Sequence, residues 1–174
     1  RKKADFVLKN ASYVNVFTGE LLLADIAICG DRIAGVCHKE ALASGKTDEV
    51  NEAGYKGLKE IDMTGKIVLP GFIDSHIHLE SSLASPSEFA KAVLPHGTTS
   101  VITDPHEIAN VMGTDGIEYM LEASEGLPLD VFFMLPSCVP STPEDESGAE
   151  LKFKDISRFL DHERVLGLAE VMND

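Results

Sequence analysis

Two histidines stand one residue apart where an apolar run of the sequence ends. They are His76 and His78 in the stretch GFIDSHIHLESS, residues 71–82. Because side chains two positions apart on a β-strand point to the same side, both imidazoles are expected on one face. Two such nitrogens can bind one divalent ion at about 2.0–2.1 Å, with carboxylates from neighbouring strands completing the shell. The spacing therefore predicts a metal site, and the alternative is a chance HxH pattern on a half-polar strand.

Two carboxylates are candidates to complete this site. Asp74 precedes the pair in the same phase of the strand, and Glu170 stands in the otherwise apolar stretch GLAEVMN. Because carboxylates are rarely buried without a partner, Glu170 requires a metal or a cation such as arginine. We therefore predict His76, His78 and Glu170 as metal ligands, with a buried salt bridge as the alternative explanation of Glu170.

A second group of polar residues is a candidate for a pocket or an additional metal. It consists of Asp104, His106 and Glu107 in TDPHEIAN, together with Glu80 just after the histidine pair. The alternative for the TDPHEIAN residues is a capped helix start, with Asp104 as the N-cap and Glu107 as the N3 carboxylate. That alternative leaves His106 unexplained, so both interpretations stay open.

Four strand–helix units position these residues. The strands are predicted to start near residues 72, 99, 130 and 165, and spacings of roughly thirty residues are typical of βα repeats. Strands that are apolar on both faces indicate a parallel sheet covered by helices. Ligands bind at the carboxyl ends of such strands, where the candidate residues collect. Half of an eight-stranded barrel and a self-contained four-stranded sheet both fit this pattern.

Local signals predict where the helices begin and end. SPSEFAKAVLPHG predicts a helix with Ser85 and Glu88 in a capping box, which frays before Pro95 and stops at Gly97. TDGIEYMLEASEG predicts a second helix capped by Thr114, and FKDISRFLDHE predicts a third.

Residues 1–69 predict a separate small β domain. Short β-rich runs occur in DFVLKNASYVN, ADIAICGDRIAGV and KEIDMTGKIVLPG, with turn-forming residues such as Gly30-Asp31 between them. The polar stretch 38–60 is predicted to be a loop. Residues 70–174 then form the second domain, which contains the four βα units.

The composition disfavours several classes of partner. The formal net charge is −14, from 29 acidic and 15 basic side chains, and such a surface repels nucleic acid and anionic membranes. No apolar stretch approaches the ~20 residues that span a bilayer. Three cysteines without paired spacing favour reduced thiols and a cytoplasmic location.

The ends of the sequence suggest a part of a longer polypeptide. The chain has no initiator methionine, and it stops at LGLAEVMND, directly after a strand-like run. A complete eight-stranded barrel typically needs ~250 residues. We therefore expect the first half of a barrel rather than a self-contained sheet.

The run KIVLPGFIDSHIHLESS resembles the amidohydrolase superfamily, whose first barrel strand ends in a metal-binding HxH. Within it, HIHLESSLASPSEFAKAVLPHGTTSVITDPHEIANVMG, MLPSCVPST and GLAEVMN resemble the adenine deaminase family over nearly the whole chain. The resemblance implies hydrolytic deamination of adenine at a binuclear divalent centre of manganese or iron, with zinc as an alternative. It makes His76 and His78 first-strand ligands and Glu170 a carboxylate that bridges two metals.

The same resemblance implies an α/β fold, in which a small composite β-sandwich domain precedes the first half of a TIM-like (β/α)8 barrel. It places two further histidine ligands and a proton-shuttling aspartate beyond Asp174, so the isolated chain is expected to be inactive. A homo-oligomer is expected for the full-length protein. The alternatives are a dihydroorotase-like or acetylglucosamine-phosphate deacetylase-like amidohydrolase, and a non-catalytic metal-binding or assembly module.

Overall fold

The computed structural model describes residues 3–39 and 55–172, and the chain divides into two compact units, Arg1–Pro70 and Gly71–Asp174. Most of the loop predicted over residues 38–60 lies outside the described residues. Its last part is a strand rather than a loop, because Gly57–Asp62 pairs with the first strand of the chain. None of the described helices is long and apolar enough to cross a membrane.

Unit 1 is a small β-sheet, as the sequence predicts. Its strands are β1 Ala4–Asn15, β2 Glu20–Cys29, β3 Arg32–His38, β4 Gly57–Asp62 and β5 Ile67–Val68. The order is β3-β2-β1-β4, with β5 also paired to β1. The first three strands are antiparallel, whereas β4 and β5 run parallel to β1. The predicted turn between β2 and β3 is present, with Gly30 at a φ of 58° that favours glycine.

A buried carboxylate lies within this sheet. Asp25 is fully buried and forms ion pairs with Lys9 and, at 2.8 Å, with Lys39. The backbone N–H of Asn10 also donates to Asp25 Oδ1 at 3.0 Å. Burial acts to raise the pKa of Asp25, but the hydrogen bonds from Lys39 and Lys9 outweigh it and hold the pKa below its ordinary value. The carboxylate is therefore neutralised within unit 1.

Unit 2 alternates strands and helices, and its four strands form one parallel sheet in the order β6-β7-β8-β9. The strands are β6 Phe72–Ile77, β7 Thr98–Thr103, β8 Asp130–Leu135 and β9 Val165–Leu168. The helices are α1 Pro86–Val93, α2 His106–Met112, α3 Thr114–Ala123 and α4 Phe153–Ile156, with short 3-10 helices at Leu79–Ser82, Leu94–His96 and Ser157–Phe159. All four strands start within one residue of the predicted positions.

Apolar side chains from both the strands and the helices fill the core of unit 2. Fully buried members include Val101, Ile117, Leu129, Phe133 and Leu135. Because strand and helix residues share one cluster, the helices fix the sheet and hold its carboxyl ends in place.

The helix ends differ from the prediction in detail. Ser85 is the N-cap of α1, but no capping box forms, because Glu88 pairs with Lys91 at 2.6 Å instead. The last turn before Gly97 is a 3-10 helix, since Pro95 has no N–H to continue the α-helical ladder. Thr114 is the first residue of α3 rather than its cap.

Candidate metal centre

His76, His78 and Glu170 lie together at the carboxyl ends of β6 and β9. One potential ligand atom from each residue lies within 4.8 Å of the others. His76 Nε2 is 2.9 Å from Glu170 Oε1, and both side chains are about half exposed. The ring centroids of His76 and His78 are 5.3 Å apart. The structure therefore brings together the three residues that the sequence predicts as metal ligands.

Two acceptors orient the ring of His78. Its Nδ1 lies 3.0 Å from the backbone oxygen of Asp104 and 3.2 Å from Glu107 Oε2. Because both neighbours only accept hydrogen bonds, Nδ1 carries the proton and Nε2 keeps its lone pair. Support of this kind on the second ring nitrogen is typical of histidines that bind metals.

Glu107 is itself held by neighbouring residues. Ser81 Oγ donates to Glu107 Oε1 at 2.6 Å. Burial acts to raise the pKa of Glu107, but the hydrogen bond from Ser81 and a backbone hydrogen bond outweigh it, so the pKa lies below its ordinary value. Burial raises the pKa of nearby Glu80, and the negative charge of Glu107 adds to that effect. Glu107 is therefore the more acidic member of this carboxyl pair.

A residue distant in the sequence, rather than Asp104, caps the start of α2. The helix begins at His106 with Pro105 at the N-cap, and Asp104 makes no capping hydrogen bond. Instead, Glu80 Oε1 accepts a hydrogen bond of 3.1 Å from the backbone N–H of Ile108. The capped-helix interpretation of Asp104 is therefore wrong, and its carboxylate is left for another role.

Asp104 and His106 are buried beside the three predicted ligands. Their side chains are 1% and 9% exposed, and Asp104 Oδ2 is 3.7 Å from His106 Nδ1. Within residues 3–39 and 55–172, neither carboxylate oxygen and neither ring nitrogen has a hydrogen-bond partner. Burial raises the pKa of the Asp104 carboxyl, and the negative charge of Glu170 adds to that effect.

Several residues near the site escape sequence reasoning. Ser81 contacts Glu107, and Ser137 Oγ donates to the backbone oxygen of Glu170 at 2.9 Å. A cavity of about 670 Å³ follows β8, and Ser137, Cys138 and Leu151 are among the residues that line it. The sequence signal for Ser137 was only its place at a strand end.

Asp74 does not join the three ligands, and its Oδ1 accepts the backbone N–H of His76 at 3.3 Å.

Comparisons with known proteins agree with this architecture. Residues 67–172 match the sequence profile of the amidohydrolase family. An adenine deaminase of Clostridium acetobutylicum is 54% identical over 172 residues, which are 99% of this chain and 27% of that protein. The chain thus spans about a quarter of the length of the curated relatives it matches.

Two solved structures show the same fold. Atrazine chlorohydrolase from Arthrobacter aurescens, complexed with zinc, matches 94% of this chain and 46% of its own at 18% identity, with a TM-score of 0.59. D-aminoacylase, which has a binuclear metal centre, matches 76% of this chain and 29% of its own at 23% identity, with a TM-score of 0.50.

Proposed function

Because this chain belongs to the amidohydrolase family, we propose that the whole protein hydrolyses adenine to hypoxanthine and ammonia. The observation that carries the proposal is the convergence of His76, His78 and Glu170 at one rim of the sheet. The substrate follows from similarity to adenine deaminases over 99% of the chain. The chain supplies part of the site, and we propose that it is inactive in isolation.

The residues present fit a divalent metal ion. Two imidazole nitrogens and one carboxylate oxygen suit manganese, iron or zinc, and the lone pair on His78 Nε2 is available for binding. Glu170 has two carboxylate oxygens and can serve both ions of a binuclear centre. We propose manganese or iron as the metals, with zinc as the alternative.

The residues of this chain bind and orient rather than transfer protons. A metal held by His76, His78 and Glu170 would supply hydroxide at neutral pH as the nucleophile. Glu107 and the backbone of Asp104 fix the ring of His78, and Ser81 fixes Glu107. Ser137 holds the backbone at Glu170. We propose that the proton-shuttling aspartate lies outside this chain.

We further propose that residues 70–174 are the first four βα units of a TIM-like (β/α)8 barrel. The strands β6 and β9 lie at opposite edges of the four-stranded sheet and would be about 14 Å apart if it were flat. His76 and Glu170, near the carboxyl ends of these edge strands, approach to 2.9 Å, which supports a sheet that curves as a barrel wall does. We assign residues 1–69 to a composite β-sandwich domain.

The test is turnover by the full natural polypeptide that contains this chain, purified with manganese. We expect ammonia and hypoxanthine from adenine, and no turnover of dihydroorotate or an acetylglucosamine phosphate. Turnover of either of those compounds but not of adenine would assign the protein to another amidohydrolase class. Metal binding without turnover of any of them would favour a non-catalytic metal-binding or assembly module. Gel filtration of the protein tests the proposed homo-oligomer. Detection of the protein in the cytoplasmic fraction of the cells tests the proposed cytoplasmic location.

A further inference from the structure

The strongest unexplained feature of unit 2 is the pair Asp104 and His106. Four buried polar atoms of these two side chains have no hydrogen-bond partner in the part of the chain that the structure describes. Leaving a buried donor or acceptor unsatisfied costs about 1–3 kcal/mol, and more when the group is charged. Native proteins keep such groups where an ordered water, an ion or a ligand satisfies them or where they serve catalysis.

The separation of the two side chains points to an ion between them. At 3.7 Å, Asp104 Oδ2 and His106 Nδ1 are too far apart for a hydrogen bond, which rarely exceeds about 3.2 Å. Two ligand atoms that each lie about 2.1 Å from one ion are separated by about 3.0–4.2 Å at angles of 90–180°. The observed distance falls in this range. A carboxylate and an imidazole are also suitable donors for manganese, iron and zinc.

This position is distinct from the first cluster. The ligand atoms of His76, His78 and Glu170 lie within 4.8 Å of one another, and neither Asp104 nor His106 belongs to that group. The two sites are nevertheless adjacent, because His78 Nδ1 donates to the backbone oxygen of Asp104. Asp104 also interacts electrostatically with Glu170 and His76.

We infer that Asp104 and His106 bind a further divalent cation beside the proposed binuclear centre, in addition to the ions that His76, His78 and Glu170 help to hold. The cation neutralises the buried carboxylate and satisfies one nitrogen of the imidazole. It also holds the segment that carries the backbone acceptor of His78, so the two positions are mechanically coupled. The inference does not depend on which substrate the protein uses.

Metal content of the full natural polypeptide tests this inference. The protein is loaded with manganese, dialysed, and analysed by inductively coupled plasma mass spectrometry. Asp104→Asn and His106→Gln are each expected to lose one metal equivalent per chain relative to the wild type. Asp130→Asn is the matched control, since it removes an exposed carboxylate at the amino end of β8, opposite the site, and is expected to leave the count unchanged.

A second measurement covers the case in which the variants do not fold. Crystals of the wild-type protein grown with manganese should show an anomalous peak between Asp104 and His106. Absence of that peak overturns the inference, as does an unchanged metal count in both variants. An unchanged count with a raised KM for adenine would show that the pair binds substrate, and an unchanged count with only a lowered melting temperature would show a structural ion pair. Metal counts need no turnover, so the inference can fail or hold independently of adenine deamination.

Discussion

Asp25 in unit 1 and Asp104 in unit 2 are both buried, at 0% and 1% exposure, but among the described residues only Asp25 has partners that neutralise it. Two lysines and a backbone N–H surround Asp25 and hold its pKa below the ordinary value. The Asp104 carboxylate accepts no hydrogen bond within the described residues, and burial raises its pKa. Burial alone therefore does not distinguish a structural carboxylate from one in a candidate functional site. The two aspartates differ in whether hydrogen-bond and ion-pair partners surround them.

The difference follows from what each unit has to do. A buried charge is stable only when it is paired, so the lysines that contact Asp25 make it part of the sheet. At the rim of unit 2, the described residues leave the acceptors of Asp104 without a hydrogen bond, and we propose that they are kept for a metal ion.

The largest effect is expected at the proposed ligands of unit 2. Glu170→Gln should lower turnover by on the order of 10³-fold, because bound metal contributes several kcal/mol to the transition state. Its melting temperature in the absence of metal should change little, since the side chain is about half exposed. Steady-state kinetics and calorimetry measure the two quantities. His96→Asn, at an exposed histidine that ends a 3-10 helix, is the control and should match the wild type. If Glu170→Gln turned over substrate as fast as the wild type, Glu170 would not be a metal ligand.

The next effect is expected at Asp25 and concerns stability rather than chemistry. Asp25→Asn leaves Lys9 and Lys39 without their anion, and breaking a buried pair costs about 3 kcal/mol or more. Urea unfolding followed by circular dichroism measures the loss. Asp31→Asn is the matched control: its side chain is 85% exposed, so the change should stay within about 0.5 kcal/mol. Equal midpoints for the two variants would show that the buried ion pairs are dispensable.

The stability that Asp25 contributes should depend on pH in a definite direction. Its pKa is lower in the folded chain than its ordinary value of 3.8, so the unfolded chain takes up the proton first. The contribution is therefore complete well above pH 3.8 and is lost as the pH falls through the folded-state value. Urea midpoints of the wild type and Asp25→Asn should converge on acidification. A constant gap between them down to pH 3 would contradict the lowered pKa.

A smaller effect is expected at Glu107, which orients His78 without belonging to the three predicted ligands. Glu107→Ala should weaken metal binding by about 10–100-fold, as loss of an outer support of a ligand histidine usually does. Glu107→Gln keeps an acceptor for His78 and should recover part of that loss. Competition with a chelator measures the affinities. If alanine and glutamine weaken binding equally, the charge of Glu107 matters and its hydrogen bond does not.

The sequence predicts features that depend on neighbouring residues, and it does not predict contacts between residues that are far apart in the chain. Strand starts and the positions of His76 and His78 follow from local periodicity, and the structure agrees with them. The cap of α2 could not be predicted, because Glu80 reaches Ile108 from 28 positions away. The lysine partners of Asp25 are equally non-local. Contacts of this kind are set by packing in three dimensions, so a sequence shows the polar residue but not its partner.

The smallest effect has the opposite sign to that at Asp25. Asp104→Asn replaces a buried carboxylate that accepts no hydrogen bond from the described residues by a neutral amide of the same shape, so the metal-free protein should gain about 1 kcal/mol in its free energy of unfolding. Urea unfolding in the presence of a chelator measures it, with Asp25→Asn run in parallel. A loss of stability in chelator would mean that His106 or another group of the chain already neutralises Asp104, and the contrast between the two aspartates would disappear.

Added manganese should then reverse the order of the wild type and Asp104→Asn. An ion that binds only the folded state stabilises it by about 2.7 kcal/mol at a hundred times its dissociation constant. The wild type keeps both donors of the Asp104 and His106 site and gains this term, whereas the variant lacks the carboxylate and gains less of it. The expected crossing, with the variant more stable in chelator and the wild type more stable in manganese, separates a carboxylate kept for a ligand from one kept for the fold. Asp25→Asn should show no crossing, because its partners are lysines of the same sheet and are present under both conditions.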